Sequence, residues 1–231
     1  MVKVILTAVL MKIDLNHAWV KTVAEAKEIQ QQLQPKTIAT DRLGEVKYVA
    51  GVDIGFEDNY KISKAAMVVL SYPELKIVDR AIAHIPTAFP YIPGYLSFRE
   101  IPAILAVLPK INQTPDLIMC DGQGLAHPRR FGLACHLGVL LDIPTIGVAK
   151  SRFIGEHEEV PMEKGSWQPL IDKEETIGVI LRSRTKVKPI YVSIGHKISL
   201  PTAIDYVMGC LTKYRLPETT RQADKLASSK S

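Results

Sequence analysis

The sequence predicts an α/β fold, a mixed β-sheet with helices packed on its faces. Three observations predict it. Three strand-like segments follow one another between residues 46 and 85, parted by turn-like residues, as antiparallel neighbours are. From there helix-like and strand-like segments alternate, the order that places helices on a sheet with parallel strands. The run Leu117, Ile118, Met119 and Cys120 is apolar at every position, which suits a central strand covered on both faces.

Taken in order, a helix is expected over residues 16–33, where Val20, Val23, Ala24, Ile29 and Leu33 are spaced for one apolar face. Strands are expected over 46–56, 65–71 and 76–85. The turns between them carry Glu57, Asp58 and Asn59, then Tyr72, Pro73 and Glu74. A helix over 97–108, a strand over 116–120, a helix over 131–141 and a strand over 145–149 follow. Strands at 176–181 and 190–194 enclose a basic loop with Arg182, Arg184, Lys186 and Lys188, and a helix is expected over 202–214. No internal repeat or low-complexity segment is visible.

Composition excludes several classes. The 231 residues are 47% apolar, 23% charged and 6% aromatic, which rules out a disordered tail, a collagenous repeat or a disulfide scaffold. At this length folding buries about 70–75% of the surface of the unfolded chain, enough for one substantial core. No Gly/Ser-rich or Pro-rich linker divides the chain, so residues 1–231 read as a single domain. The net charge of +5 is compatible with a polyanionic partner without requiring one. Cys120, Cys135 and Cys210 sit in apolar runs and are odd in number, so they read as reduced core residues. The opening MVKVILTAVL is too short an apolar run for an export signal, with Lys3 its one basic residue and no small-residue cleavage site behind it. No stretch approaches a membrane span. The expectation is a cytoplasmic protein with no membrane partner.

Three carboxylates stand out. In the strand around Asp53, period two puts Gly51, Asp53 and Gly55 on one face and Val52 and Ile54 on the other. An unpaired carboxylate there is costly, and a metal, a basic partner or hydrogen-bond donors would each compensate. Asp121 ends the apolar strand and is followed by Gly122, Gln123 and Gly124. Ligands of α/β sheets collect beyond the carboxyl ends of strands, although a turn-forming Asp-Gly gives the same pattern. Glu100 stands three residues after Ser97, the spacing of a capping box that closes a helix N-terminus. Ile101, Leu105 and Leu108 bring that helix toward the sheet, so Glu100 also has a route to Asp53 and Asp121. Together the three would form an oxygen-rich site suited to Mg²⁺ or Mn²⁺ and to phosphodiester hydrolysis.

Beyond the carboxylates lie longer ordered motifs: PYIPG at 90–94, FRE at 98–100, DGQGLAHPR at 121–129, PTIGVAKS at 144–151, GHKIS at 195–199 and LPETTR at 216–221, with GVD at 51–53. In this order they resemble the endonuclease V family, the deoxyinosine 3′ endonucleases of DNA repair. The resemblance runs from about residue 15 to 228. Only residues 1–11 stand outside it as an extra N-terminal segment, which makes Met11 an alternative start.

The resemblance implies a ribonuclease-H-like fold and Mg²⁺-dependent hydrolysis, with Mn²⁺ able to substitute. The bond cut would be the second phosphodiester 3′ to a deaminated base, leaving 3′-hydroxyl and 5′-phosphate ends. It implies a monomer acting on DNA with deaminated bases, and inosine-containing RNA as the alternative substrate. Asp53 and Asp121 would be the principal metal ligands, with Glu100 completing the acidic site. Asp224 falls where the family carries His or Asp near its C-terminal helix, and an exposed helix Asp is its plain alternative. Lys150 matches the family's active-site lysine and would stabilise charge on the cleaved phosphate. Pro90, Tyr91, Ile92 and Pro93, with Gly94 behind them, match the wedge that separates strands around the lesion. Two prolines stiffen that loop, and an aromatic ring fills the gap left by an extruded base. Gly122, Gly132 and Gly147 would line the base pocket, and His127 would stand near the DNA. Arg129, Arg130 and the basic loop receive no role, since a charge run is usually a solvated face.

Two other classes compete. The Asp-x-Gly at Asp53 and Gly55 resembles the phosphate loop of the actin and sugar-kinase kind. Those proteins need two related lobes, and neither a repeat nor a Gly-Lys-Ser/Thr loop is present. A nucleic-acid-binding module that has lost catalysis is the second. Serine hydrolysis is weaker still, with no Gly-x-Ser-x-Gly elbow in the chain.

Overall fold

The structure, a computed structural model, describes Trp19, Val20 and residues 22–229. The extra segment at 1–11, the alternative start at Met11 and the first residues of the expected helix from 16 lie outside the described residues. The strands are β1 (Tyr48–Glu57), β2 (Ile62–Ser71), β3 (Ile77–Pro86), β4 (Leu117–Asp121), β5 (Thr145–Ala149), β6 (Trp167–Asp172), β7 (Glu175–Leu181) and β8 (Ile190–His196). The helices are α1 (Val23–Leu33), α2 (Leu96–Val107), α3 (Leu133–Leu141), α4 (Leu200–Gly209) and α5 (Glu218–Ala227).

The eight strands of the described residues form one sheet in the order β3-β2-β1-β4-β5-β8-β7-β6. β1, β2 and β3 are an antiparallel meander, while β1, β4 and β5 run parallel at the centre. β8, β7 and β6 extend the far side antiparallel. This is a mixed sheet of ribonuclease-H-like form. The four residues Leu117 to Cys120 are each 0% exposed, as a strand covered on both faces requires. One face packs Val52, Met67, Ile118 and Cys120 against Ile101 and Ile104 of α2 and Leu137 of α3. The other packs Val49, Met119, Ile146 and Val192 against Ala203 and Val207 of α4. The three cysteines are free and buried, and among the described residues no helix is long and apolar enough to cross a membrane.

Several expectations are corrected. α1 opens with a capping box between Thr22 and Glu25, and its buried face is Ala26, Ile29, Gln30 and Leu33. Val23 and Ala24 are exposed, because the hydrophobic stripe is completed by a glutamine that hydrogen-bonds inward to the carbonyl of Gly94 at 3.0 Å. α4 begins earlier and ends earlier than expected, since the Ser199 hydroxyl accepts the Thr202 N–H as its N-cap and the helix closes at Gly209. Two elements carried no apolar signal. β6 contains Pro169 and buries only Leu170, as an edge strand tolerates. α5 buries Glu218, Thr219, Thr220, Ala223 and Ala227, a face of small and polar residues rather than a stripe of large apolar ones.

Candidate active site

Strand alternation places the first carboxylate. Gly51, Asp53 and Gly55 face α5, and the two glycines let that helix lie against the strand. A Cβ on Gly51 would stand 2.1 Å from the carbonyl oxygen of Thr219, and one on Gly55 would stand 2.7 Å from that of Ala227. Asp121 ends β4, which pairs in parallel with β1. Asp121 shares a face with Met119, whose sulfur accepts the Thr219 hydroxyl of α5 at 3.2 Å. α5 then supplies Asp224. Asp53, Asp121 and Asp224 each offer a carboxylate oxygen, and these atoms lie within 4.8 Å of one another.

Such crowding shows in the proton affinity of Asp53. Burial first, then the charges of Asp121 and Asp224, push its carboxyl up to about 7, against the opposing pull of Lys150 and the Ile54 N–H. The Lys150 ammonium donates to Asp121 Oδ2 at 2.5 Å and stands 3.6 Å from Asp224 Oδ1. Partial burial works against the charge of Lys150, but the bond to Asp121 and the three carboxylates outweigh it and raise its pKa. The backbone of Lys150 is held by Arg215, which donates to the carbonyls of Lys150 and Pro189 at 2.8 Å each, and of Lys188 at 2.8 Å. Arg215 escaped the sequence reading, since a lone loop arginine carries no signal of three carbonyl partners.

Glu100 departs from the expected capping box. α2 starts at Leu96 with Tyr95 at the N-cap and no side-chain cap. Ser97 is drawn instead to the buried His136 ring at 3.0 Å. Glu100 therefore looks to the sheet. Burial first, then Asp53 and Asp121, push its carboxyl well above the ordinary range, with Arg99 pulling the other way. It is not one of the three clustered carboxylates, because α2 packs on the opposite sheet face from α5.

Beside Asp121 and Lys150 opens a pocket of about 320 Å³ lined by Tyr91, Pro93, Gly94, Gly122, His127 and Phe153, among others. Tyr91 is 68% exposed at its rim, so its ring is not packed inward. Gly94 has φ +84° and its carbonyl accepts from Gln30, His127 and Arg129 at 3.0, 3.0 and 2.6 Å. That left-handed turn aims the PYIP loop over the pocket. Gly122 and Gly132 line it, but Gly147 does not. A Cβ at Gly147 would stand 2.4 Å from the Gly124 nitrogen, so this glycine seats the loop after Asp121 from beneath. His127 is 4% exposed, and its Nε2–H donates to Gly94 while Nδ1 accepts the Arg129 N–H at 3.2 Å. Burial and the Arg129 charge lower its pKa to about 4. A larger open groove of about 920 Å³ lies beyond Phe153 between residues 152–158 and 168–174, and holds none of the three aspartates.

The basic residues divide. Arg129 and Arg130 are engaged with Gln30 and with Asp172 and Glu175 respectively. Arg182 is buried against the carbonyls of Val160, Pro161 and Val187. Arg184, Lys186 and Lys188 are exposed, on a loop at the same end of the sheet as Lys150.

A family model described as Endonuclease V matches residues 27–225. The chain is 67% identical to the Endonuclease V of Rippkaea orientalis over 220 residues, covering 95% of this chain and 96% of the relative. Among solved structures, the Endonuclease V of Streptomyces avermitilis superposes with a TM-score of 0.87 at 43% identity, over 91% of this chain and 93% of that one. The Ciona intestinalis Endonuclease V, in complex with a 24mer DNA containing an inosine followed by a ribo-adenosine, gives 0.76 at 38% identity, over 89% and 95%. A match over most of the chain, at this identity and with the fold superposed, has one reading: the chain belongs to the endonuclease V family, nucleases that act on phosphodiester bonds.

Proposed function

We propose that this nuclease recognises deoxyinosine in DNA and, with Mg²⁺, hydrolyses the second phosphodiester 3′ to it, leaving 3′-hydroxyl and 5′-phosphate ends. The observation that carries the reading is the trio Asp53, Asp121 and Asp224 beside the pocket under Tyr91. The donor set fits a hard divalent cation. It is all carboxylate oxygen, with neither thiolate nor imidazole, and burial together with the charges of Asp121 and Asp224 raises the Asp53 carboxyl to about 7. Asp53, Asp121 and Asp224 would hold the ion, with Glu100 at the edge. When bound, a divalent cation there supplies Lewis-acid stabilisation of the phosphate and acidifies the attacking water.

The chain's own groups do the rest. Water adds to phosphorus, the bond to the 3′ oxygen breaks, and that oxygen takes a proton. The Lys150 ammonium stands where it offsets the charge that develops on the phosphate. Tyr91, on a loop stiffened by Pro90 and Pro93, takes the space of the extruded base while the pocket encloses the base itself. Ile92 anchors that loop by packing on the cluster of Phe89, Phe98 and Phe131. His127, neutral and buried, holds Gly94 and so the angle of the loop.

An end-labelled duplex with a single deoxyinosine tests this reading. Cutting at the second bond 3′ to the lesion with Mg²⁺, and none with EDTA, is the expected result. Binding without cutting, with Mn²⁺ also supplied, would return the reading to an inactive module. An inosine-directed ribonuclease is the second reading, favoured by the ribo-adenosine that follows the inosine in the DNA bound to the Ciona intestinalis relative. Faster cutting of an inosine RNA than of the DNA duplex would select it.

A further inference from the structure

We propose that Tyr60, backed by Phe56 and Arg99 at the tip of the β1–β2 hairpin, is a stacking shelf for bases on the 3′ side of the scissile bond. The inference rests on the nuclease reading of the acidic site and extends it to the strand that leaves that site.

The cluster has an unusual construction. Tyr60 is 70% exposed, and its ring centroid lies 5.8 Å from that of Phe56. The Arg99 guanidinium carbon stands 4.1 Å from the Phe56 centroid and 5.8 Å from that of Tyr60. Arg99 is 7% exposed, its Nε is buried with no hydrogen-bond partner, and among the described residues no ion pair engages it. A buried guanidinium ordinarily spends its five donors on carbonyls or carboxylates. Arg182 does so in this chain with three carbonyls. Arg99 instead lies against two rings, with the Glu100 carboxyl within reach of its charge, and so stiffens the aromatic pair from behind.

The turn that presents the ring is also costly. Asp58, Asn59 and Tyr60 have φ of +46°, +51° and +66°, a left-handed run that ends on a tyrosine. Strain of this kind is kept where a side chain must be aimed. The acidic neighbours do not oppose a phosphate strand on their own, for Glu57 faces the buried Lys64 at 3.5 Å and Asp58 faces Lys61 at 3.9 Å.

Placement decides which part of the substrate meets the shelf. The pocket under Tyr91 opens beside Asp121 and Lys150, on the side of β4 and β5. β1 lies between β4 and β2, so the β1–β2 tip is on the opposite side of the carboxylates. Phe56 is three residues past Asp53, about 10 Å along the strand and on its α2 face, the side from which Leu96 and Ser97 line the pocket. A strand with its lesion base in the pocket and its second 3′ phosphodiester at the carboxylates therefore leaves across Tyr60. Every base has a π-face, so such contact adds affinity without adding sequence preference.

The test measures single-turnover cutting of the deoxyinosine duplex against enzyme concentration for wild type, Tyr60→Ala and Tyr60→Phe. Tyr60→Ala should raise the half-saturating concentration about tenfold, and Tyr60→Phe should restore it. On a duplex with abasic sites at the two nucleotides 3′ of the cut, wild type and Tyr60→Ala should converge. Equal half-saturation of wild type and Tyr60→Ala on the intact duplex would overturn the shelf. So would an equal loss on intact and abasic duplexes, which marks a purely structural role. A wild type that fails to cut deoxyinosine DNA at all overturns the nuclease reading itself, an outcome distinct from either.

Discussion

Lys150 and Asp121 meet at 2.5 Å across the ends of two neighbouring parallel strands, β5 and β4. Each side chain stands just where its strand stops, so sheet register, with Arg215 holding the Lys150 carbonyl, brings the ammonium to the carboxylate. Among the described residues, Lys150 is the one cation ion-paired with the aspartate trio, and Lys150→Met removes it. Cleavage of the deoxyinosine duplex should slow about 10²- to 10³-fold under single-turnover conditions, the loss typical for one charge-stabilising donor. A rate within threefold of wild type would remove Lys150 from the chemistry.

Asp53→Asn should separate stability from activity. The folded pKa of Asp53 is raised from 3.8 to about 7, so the folded protein binds more protons than the unfolded chain between those values. In EDTA this group therefore favours folding less and less as pH climbs from 4 to 7 and is fully unfavourable above 7. At pH 8 without metal, Asp53→Asn should stabilise by about 2 kcal/mol, after allowance for partial exposure, while cutting is abolished. Urea midpoints at pH 5 and pH 8 check the sign, because the gain should shrink at the lower pH.

Acid should act through His127 in the opposite sense. Its folded pKa of about 4 lies below the ordinary 6.5, so the unfolded chain binds the extra proton between those values. Stability from this group is complete above 6.5 and lost as pH falls toward 4, by up to about 3 kcal/mol. The proton would land on Nδ1, which accepts the Arg129 N–H, beside a second cation. His127→Gln should flatten the fall in urea midpoint between pH 6.5 and 4.5.

Tyr91→Ala should leave the metal requirement intact and weaken the preference for deoxyinosine over undamaged duplex about tenfold, since the exposed ring fills the vacated stack. Competition binding with the two duplexes measures it. An unchanged ratio would remove the wedge role.

Gly51→Ala should destabilise by about 3 kcal/mol, because the new methyl group meets the Thr219 carbonyl of α5 and neither backbone can yield. Activity should fall with it as α5 moves Asp224 away. Gly44→Ala, where nothing stands within 4 Å, is the matched control and should be near neutral.

How legible all this was depends on the kind of signal. The alternation around Asp53 and the unbroken apolar run before Asp121 foretold which faces are covered, because burial on one or two sides writes itself into period two. Ser97 and Glu100 misled for a related reason. Capping-box spacing is a local pattern, and His136, distant in sequence, claimed the serine. α5 left no apolar stripe, since it sits on glycines and needs threonine and alanine rather than leucine to fit. Asp224 was therefore reached through the resemblance and not through periodicity. Tyr60 and Arg99 leave no sequence signal, because a guanidinium packed on two rings is a property of three-dimensional neighbours alone.

The seating of α5 on Gly51 and Gly55 has a consequence for the order of events in the cell. The three aspartates come from positions 53, 121 and 224, and the third is carried by a helix that follows every strand of the described residues. A nascent or half-folded molecule can present the first two carboxylates while lacking the third. In such a molecule the proposed metal centre lacks one of its three carboxylates. The proposed centre is complete only once α5 has seated against β1.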